Sequence, residues 1–163
     1  MITAKIIQRI KAKGRGAIFA PSDLLDLGSR ASVDQTLSRL ADQGVIRRLT
    51  RGLYDYPKIS ARFGMVQPSI DEVARALARK DRHVLLVSQA AAANQFGLST
   101  QVPSKPIYIT DGPTRTRTVG TQFIQFRNAS RKTLTGAGQT SGAVFQALRY
   151  VGKDGVTDRV IKN

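Results

Sequence analysis

Side chains that could contact a nucleic acid are concentrated between residues 30 and 51. Gln can form two hydrogen bonds with adenine and Arg two with guanine, while Ser and Thr hydroxyls suit phosphate oxygens. The residues predicted to bind DNA are Arg30, Ser32, Gln35, Thr36, Ser38, Arg39, Arg47, Arg48 and Arg51. Asp34 lies among them; phosphate would repel its carboxylate, although cytosine could donate a hydrogen bond to it. The pattern predicts contact with double-stranded DNA.

The segments that carry these residues have the pattern of a helix-turn-helix. Residues 2–13 repeat isoleucine at helical spacing, which predicts a first helix. A short helix closed by Gly28 is followed by a second helix over 32–43, in which Ser32 and Gln35 are predicted to form a capping box. In such motifs the second helix enters the major groove, so we expect 32–43 to be a recognition helix.

The next segment, 45–56, is predicted to form two short strands around a turn, which would complete a winged helix. Side chains alternate between the two faces of a strand, so only one of Arg47 and Arg48 can join Arg51 on the DNA face. An arginine beside a glycine at the tip suits the adjacent backbone or minor groove. The alternatives are a solvated hairpin or a winged helix that contacts protein.

Further basic residues lie outside this motif and are additional candidates for phosphate contacts. They are Lys11, Lys13, Arg15, Arg115 and Arg117. The cations near the end of the first helix could equally form an ordinary solvated face.

The overall charge favours a polyanionic partner. The 163 residues include 26 Lys and Arg against 11 Asp and Glu, a net charge of +15, and counterion release would favour binding to nucleic acid. The alternative is a basic surface with no partner. No cysteine is present and no apolar run reaches about 18 residues. The first residues lack the order of a signal peptide, so we expect a cytoplasmic protein that does not contact membranes.

The rest of the chain is predicted to form a second, α+β domain. We assign 1–57 to the winged helix-turn-helix domain, 58–68 to a linker of mixed polarity, and 69–163 to a small mixed α/β domain. Its predicted elements are a helix beginning at the capping box Ser69–Glu72, strands over 84–87, 106–110 and 121–127, and helices over 88–96 and 141–151.

Several segments resemble the AbiEi-type antitoxins of type IV toxin–antitoxin (abortive infection) systems. They are residues 19–29, 33–40, 44–49 and 51–54, including the pattern L-S-R-L-x-x-x-G-V-I-R-R-L-x-R-G-L-Y, and residues 90–103 and 107–112. The resemblance implies an N-terminal winged helix that represses its own operon at inverted repeats. It also implies a C-terminal domain that opposes a nucleotidyltransferase-like toxin. By position, Ser32, Gln35, Thr36, Arg39 and the wing arginines fall in the DNA-reading element.

Residues that could catalyse a reaction are sparse, and we expect no enzyme, no metal and no cofactor. His83 is the one histidine and is best explained as a surface or capping residue. With no cysteine, a zinc site would need carboxylates that the chain barely has. The Gly-rich segment 136–142 precedes a helix but lacks the G-K-[ST] ending of a phosphate-binding loop, so a flexible loop is the better interpretation.

Two other functions remain open from the sequence. The protein could be a plain transcription factor whose C-terminal domain only dimerises or senses a ligand. It could instead bind RNA, through basic residues near aromatic ones in the second half. Those residues are Arg115, Arg117, Arg127, Arg131 and Lys132, beside Tyr108, Phe123 and Phe126. Inverted repeats would suit either a homodimer or two monomers.

Overall fold

A computed structural model of the chain describes residues 1–155, which form one unit over Met1–Asp81 and a second that begins at Arg82. The first unit starts with helix α1 (Ile2–Lys13), which buries Ile6 and Ile10 as its isoleucine spacing predicts. Strand β1 (Ile18–Phe19) and a 3₁₀ turn (Pro21–Leu24) follow. The carboxylate of Asp23 fixes this turn by accepting the Ala20 N–H at 2.9 Å.

Helix α2 (Arg30–Asp42) begins two residues before the predicted start. Its N-cap is Ser29, whose hydroxyl accepts the backbone N–H of Ser32 at 3.3 Å. The predicted capping box of Ser32 with Gln35 is therefore wrong, because Ser29, three residues earlier, is the N-cap and Ser32 lies inside the helix. Val33, Leu37 and Leu40 are buried, as their helical spacing predicts.

A three-stranded antiparallel sheet packs against these helices. It contains β1, β2 (Arg47–Thr50) and β3 (Leu53–Asp55), in the order β1-β3-β2. Arg48 lies opposite Tyr54 in the register, and an irregularity follows between Arg48 and Thr50. The core of the unit joins α1, β1, α2 and the sheet through residues that include Ile10, Phe19, Leu37, Ile46 and Tyr54.

The predicted linker 58–68 contains a second hairpin instead, formed by β4 (Lys58–Ser60) and β5 (Gly64–Val66). Helix α3 (Ile70–Asp81) then packs within the first unit. The predicted capping box is confirmed, since Glu72 accepts the Ser69 N–H at 3.0 Å and Ser69 accepts the Glu72 N–H at 3.2 Å.

The unit boundary thus lies after α3 rather than at the predicted linker. The reason is a buried apolar stripe on α3, which includes Val73 and Leu77, combined with polar contacts near its end. Arg79 donates to the Ile18 carbonyl at 3.1 Å, and Lys80 donates to the Arg51 carbonyl at 3.1 Å. Helix α3 therefore fixes both β1 and the turn between β2 and β3.

The second unit contains one four-stranded sheet and two helices in its described part. In chain order these are β6 (Leu85–Val87), α4 (Gln89–Gln95), β7 (Ile107–Thr110), β8 (Arg115–Val119), β9 (Gln122–Asn128) and α5 (Thr140–Val151), followed by a 3₁₀ turn (Lys153–Gly155). The strand order is β6-β7-β9-β8, and only the β7–β9 pair is parallel. Helices α4 and α5 pack against each other.

Strand β8 was not predicted from the sequence. Its residues Arg-Thr-Arg-Thr-Val lack the apolar alternation of a half-buried strand, because β8 is an edge strand with mostly exposed side chains. Across residues 1–155 the chain combines five α-helices with three sheets, which confirms the expected mixture of helix and strand. No helix in this range is long and apolar enough to cross a membrane.

Candidate nucleic-acid interface

The outward face of α2 carries polar side chains at the positions predicted for base contacts. Gln35, Ser38 and Arg39 are exposed there, opposite the buried leucines. Arg30 is also exposed, but its Nε lies 2.8 Å from the Asp34 carboxylate in an i,i+4 ion pair. This pair removes the repulsion of an isolated carboxylate and leaves Gln35, Ser38 and Arg39 as the donors open to a partner.

Thr36 does not belong to this face. Its side chain is buried at 6% exposure, and its hydroxyl donates to the Ser32 carbonyl at 2.8 Å. Ser32 is half-buried, and its hydroxyl lies 2.9 Å from that of Ser29. The predicted contact of Thr36 is inconsistent with this burial, because the helix turns its β-branched side chain toward the core between Val33 and Leu40.

The two neighbouring arginines of β2 have different environments. Arg47 faces inward and forms a bidentate pair with buried Asp55, with Nε–Oδ1 and Nη2–Oδ2 distances of 3.0 and 2.6 Å. Its Nη2 also donates to the Val66 carbonyl at 3.1 Å. Arg48 is exposed on the opposite face. Of the two arginines that alternation left open, Arg48 is therefore the one available to a partner, and Arg47 holds the two hairpins together.

The turn between β2 and β3 presents Arg51 to solvent. Gly52 follows with a φ of +70°, a backbone conformation that side chains with a Cβ rarely adopt. Because Lys80 of α3 donates to the Arg51 carbonyl, the turn is held at its backbone while the Arg51 side chain stays exposed.

Helix α2, the β2–β3 hairpin and strand β5 border one depression of the surface, which we call the helix–hairpin hollow. Residues that line it include Ser38, Asp42, Arg47, Arg48, Tyr54 and Met65. Ser38 comes from the outward side of α2, Arg48 from β2 and Met65 from β5. The exposed side chains of α2, β2 and β5 are therefore neighbours on one surface of the first unit.

Of the additional basic residues predicted to contact phosphate, some are exposed and others contact residues of their own unit. Lys11 and Lys13 are exposed in the last turn of α1, where cations also favour the helix dipole. Arg15 donates to the Pro57 carbonyl at 3.0 Å, and its guanidinium carbon lies 4.8 Å from the centre of the Tyr56 ring. Arg15 therefore has a structural role as well as a charge.

In the second unit, Arg115 and Arg117 lie two residues apart on β8 and so point to the same side of the sheet. Arg115 is half-buried, with its guanidinium carbon 5.5 Å from the centre of the Phe126 ring, whereas Arg117 is exposed. Phe126 is a core residue at 2% exposure, but Phe123 is 63% exposed.

His83 and the Gly-rich segment have structural explanations. His83 Nδ1 lies 3.3 Å from Asp111 Oδ1, and the same oxygen accepts the Val84 N–H at 2.9 Å. This contact fastens the start of β6 to the turn after β7. In the Gly-rich segment, a Cβ on Gly142 would clash with the Gly136 carbonyl oxygen, so close backbone packing requires glycine there.

The residues that sequence reasoning missed are those of the second hairpin. Lys58, Ile59, Arg62, Phe63 and Met65 are all exposed, and none was predicted to have a role. A signal was available in Arg62-Phe63-Gly64, a basic–aromatic–glycine tip between two short segments of strand-forming residues.

A family described as one of unknown function, DUF6088, matches residues 5–163 of the chain. The chain belongs to this family. The match spans both units, so the two occur together in the pattern that defines the family. No curated protein matches the chain.

Proposed function

We propose that the first unit is a winged helix-turn-helix that binds double-stranded DNA in a sequence-specific manner. The order of elements supports this: a helix, a short strand, a helical turn, a second helix and a hairpin. The sheet order β1-β3-β2 also supports it, because the early strand pairs with β3 of the β2–β3 hairpin, whose exposed turn would form the tip of the wing.

The observation that carries the proposal is that the outward face of α2 and Arg48 of β2 border the same hollow. Ser38 and Arg48 line the same hollow; Arg47 lines it too, but its guanidinium is paired with Asp55. A duplex that receives α2 in its major groove would bring an adjacent phosphate backbone to the wing. Arg48 and Arg51 are the charges positioned for that backbone.

Charge on this surface is divided in a way that suits specific recognition. On α2, Arg30 and Arg39 are balanced by Asp34 and Asp42, so the helix itself is not a general polyanion binder. The positive excess comes from outside the helix: the whole unit has fifteen Lys and Arg against eight Asp and Glu. In the proposed complex, Gln35 and Arg39 read base edges, and the flanking cations neutralise phosphates.

We further propose that the protein is an autoregulating repressor and an antitoxin of a type IV toxin–antitoxin system. The resemblance of residues 19–54 to AbiEi-type antitoxins supports this assignment. On this proposal the protein represses its own promoter at inverted repeats and opposes a nucleotidyltransferase-like toxin. It acts by binding and not as an enzyme.

DNA binding is tested by fluorescence anisotropy with a duplex from immediately upstream of the reading frame and a scrambled duplex of equal composition, over a range of salt concentrations. We expect the upstream duplex to bind at least about a hundredfold tighter at physiological salt. Arg39→Ala should cost about 1–3 kcal/mol on the upstream duplex alone. Arg48→Ala should weaken both duplexes and lower the salt dependence by about one phosphate contact.

Thr36→Val is the matched control within α2. The Thr36 side chain is buried, so removing its hydroxyl should leave DNA affinity unchanged. Equal binding of both duplexes, with affinity that simply collapses as salt rises, would contradict sequence-specific recognition. Tighter binding to single-stranded RNA than to either duplex would favour an RNA-binding protein instead.

The antitoxin role is tested by growth of cells that express a neighbouring nucleotidyltransferase-like reading frame with and without this chain. We expect the chain to restore growth. The double variant Arg39→Ala/Arg48→Ala should restore it equally under a foreign promoter, because that assay does not require operator binding. Failure of the wild-type chain to restore growth would leave a repressor without antitoxin activity.

A further inference from the structure

The β4–β5 hairpin exposes an unusual cluster of apolar side chains. Ile59, Phe63 and Met65 are 60%, 77% and 52% exposed. The register places Ile59 directly opposite Met65, so those two side chains lie side by side on one face, with Phe63 at the tip. Clustered apolar exposure of this kind, rimmed by polar groups, marks a binding surface more often than scattered single residues do.

The same hairpin is positively charged. Residues 58–68 contain Lys58 and Arg62 and no acidic residue. The guanidinium carbon of Arg62 lies 5.5 Å from the centre of the Phe63 ring, so the tip combines a cation and an aromatic ring in one small protrusion. Charge complementarity therefore points to an anionic partner.

Hydrogen bonds fix both ends of the hairpin and its turn. Arg47 donates to the Val66 carbonyl at 3.1 Å, and Arg15 donates to the carbonyl of Pro57, which precedes β4, at 3.0 Å. At the turn, the Ser60 hydroxyl accepts the N–H groups of Arg62 and Phe63, each at 3.3 Å. The tip is therefore held in shape before any partner binds, which lowers the entropic cost of binding.

The hairpin also stands beside the proposed DNA-binding face. Met65 lines the helix–hairpin hollow together with Ser38 of α2 and Arg48 of β2. A duplex that contacts α2 and the β2–β3 wing would therefore pass close to the second hairpin.

We infer that the β4–β5 hairpin is a second wing, whose Arg62–Phe63 tip enters the minor groove of the bound duplex. The inference rests on the proposed function. A minor groove is only about 6 Å wide, so it admits the tip side chains but not a whole hairpin. Proteins that bind there pair basic residues with an apolar wedge that partly unstacks a base step, and Arg62 and Phe63 supply both.

A second copy of this chain is a poorer occupant of the hairpin surface. Stable protein interfaces use roughly 20–30 residues on each side, whereas this patch has three apolar side chains, Ile59, Phe63 and Met65. The adjacent basic groups would also repel their equivalents in a second copy.

The experiment uses the full chain, which contains no tryptophan. In the Phe63→Trp variant the only indole is at the tip, and its emission is recorded while the upstream duplex is added. We expect quenching and loss of access to acrylamide as the indole stacks on a base. Val102→Trp is the matched control, since Val102 is 78% exposed in the second unit and an indole there should keep its emission.

Phe63→Ala tests the energetic role of the tip on the same duplex. We expect about a tenfold loss of affinity, as for loss of one base–aromatic stack, and loss of a protein-induced bend of about 20–90° measured by energy transfer between end-labelled dyes. Circular dichroism and the thermal midpoint should match the wild type, because Phe63 is exposed.

Each other outcome overturns the inference in a distinguishable way. Suppose the wild type binds the upstream duplex specifically, but DNA does not change the indole emission of Phe63→Trp and Phe63→Ala binds as tightly as the wild type. The second wing is then wrong and the proposed function stands. If the indole emission of Phe63→Trp depends on protein concentration without DNA, a second copy covers the tip. If the wild type does not distinguish the duplexes, the proposed function fails and the second wing fails with it.

Discussion

The two consecutive hairpins of the first unit have similar lengths, but the first is largely buried and the second is largely exposed. In the β2–β3 hairpin, Leu53, Tyr54 and Asp55 are all buried, and Tyr54 belongs to the core cluster shared with the helices. In the β4–β5 hairpin, four of the six strand residues are exposed. The first hairpin is therefore part of the hydrophobic core, whereas the second is attached through its root and shaped by its own turn.

This difference shows that a short β-hairpin can either stabilise the fold or provide a surface for binding a partner. A hairpin alone is marginal in water, so β2–β3 is stabilised by apolar burial and β4–β5 by the Arg47 and Arg15 hydrogen bonds at its ends. Substitutions of the buried residues of the first hairpin should change the free energy of unfolding. Substitutions of the exposed apolar and basic side chains of the second hairpin should change binding and leave folding intact.

The largest expected effect is that of Arg47→Ala. It leaves the carboxylate of Asp55, at 1% exposure, without its bidentate partner and releases the root of the second hairpin. We expect a loss of about 3–5 kcal/mol in the free energy of unfolding, measured by urea denaturation. Arg48→Ala, one residue along, should stay within about 0.5 kcal/mol of the wild type.

The double variant Arg47→Met/Asp55→Leu separates the buried pair from the packing around it. Replacing both charges with apolar groups should recover most of the lost stability, since no buried charge remains unpaired. Equal stability of Arg47→Ala and Arg48→Ala would mean that the two arginines are not distinguished in solution and would remove the basis of the comparison.

A matched pair of aliphatic truncations is expected to come next in size. Leu53 in β3 is 0% exposed and Ile59 in β4 is 60% exposed. Leu53→Ala should cost about 2–5 kcal/mol because it leaves a cavity, while Ile59→Ala should cost no more than about 0.5 kcal/mol. Chemical denaturation of both variants checks this, and similar costs would indicate that the second hairpin is buried in solution.

The turn glycines provide a smaller contrast. Gly52 and Gly64 have φ values of +70° and +67°, so alanine at either position should cost about 1–2 kcal/mol. A Cβ at Gly52 would also lie 3.1 Å from Lys80 Nζ, whereas one at Gly64 meets nothing within 4 Å. Gly52→Ala should therefore be the more destabilising in thermal melts, and the reverse order would argue against the Lys80 contact.

The smallest expected effect is that of Arg62→Gln on DNA binding. Loss of one exposed cation should lower the slope of log affinity against log salt by about one, with little change in the free energy of unfolding. Lys105→Gln in the second unit is a suitable control, since Lys105 is an exposed cation outside both hairpins. An unchanged slope in Arg62→Gln would mean that Arg62 displaces no counterion from the duplex and would contradict its entry into the minor groove.

Much of the first unit could be predicted because its periodicities are strong. The isoleucines of α1, the leucines of α2 and the capping box of α3 each indicated the correct element. The start of α2 was misplaced because Ser29 and Ser32 are both plausible caps, and only backbone geometry selects one. Strand β8 and the second hairpin were missed because their side chains are exposed, so no apolar alternation marked them.

Composition and local periodicity were enough to establish the charge, the mixture of helix and strand, and the polar face of α2. Alternation also required that Arg47 and Arg48 point to opposite faces. Which of them faces inward followed from the tertiary structure alone, since it depends on Asp55 and Val66, eight and nineteen residues away from Arg47. The hairpin of residues 58–66 has the same origin, because contacts between segments distant in sequence leave no local pattern. The burial of Thr36, by contrast, follows the helical spacing of Val33, Leu37 and Leu40.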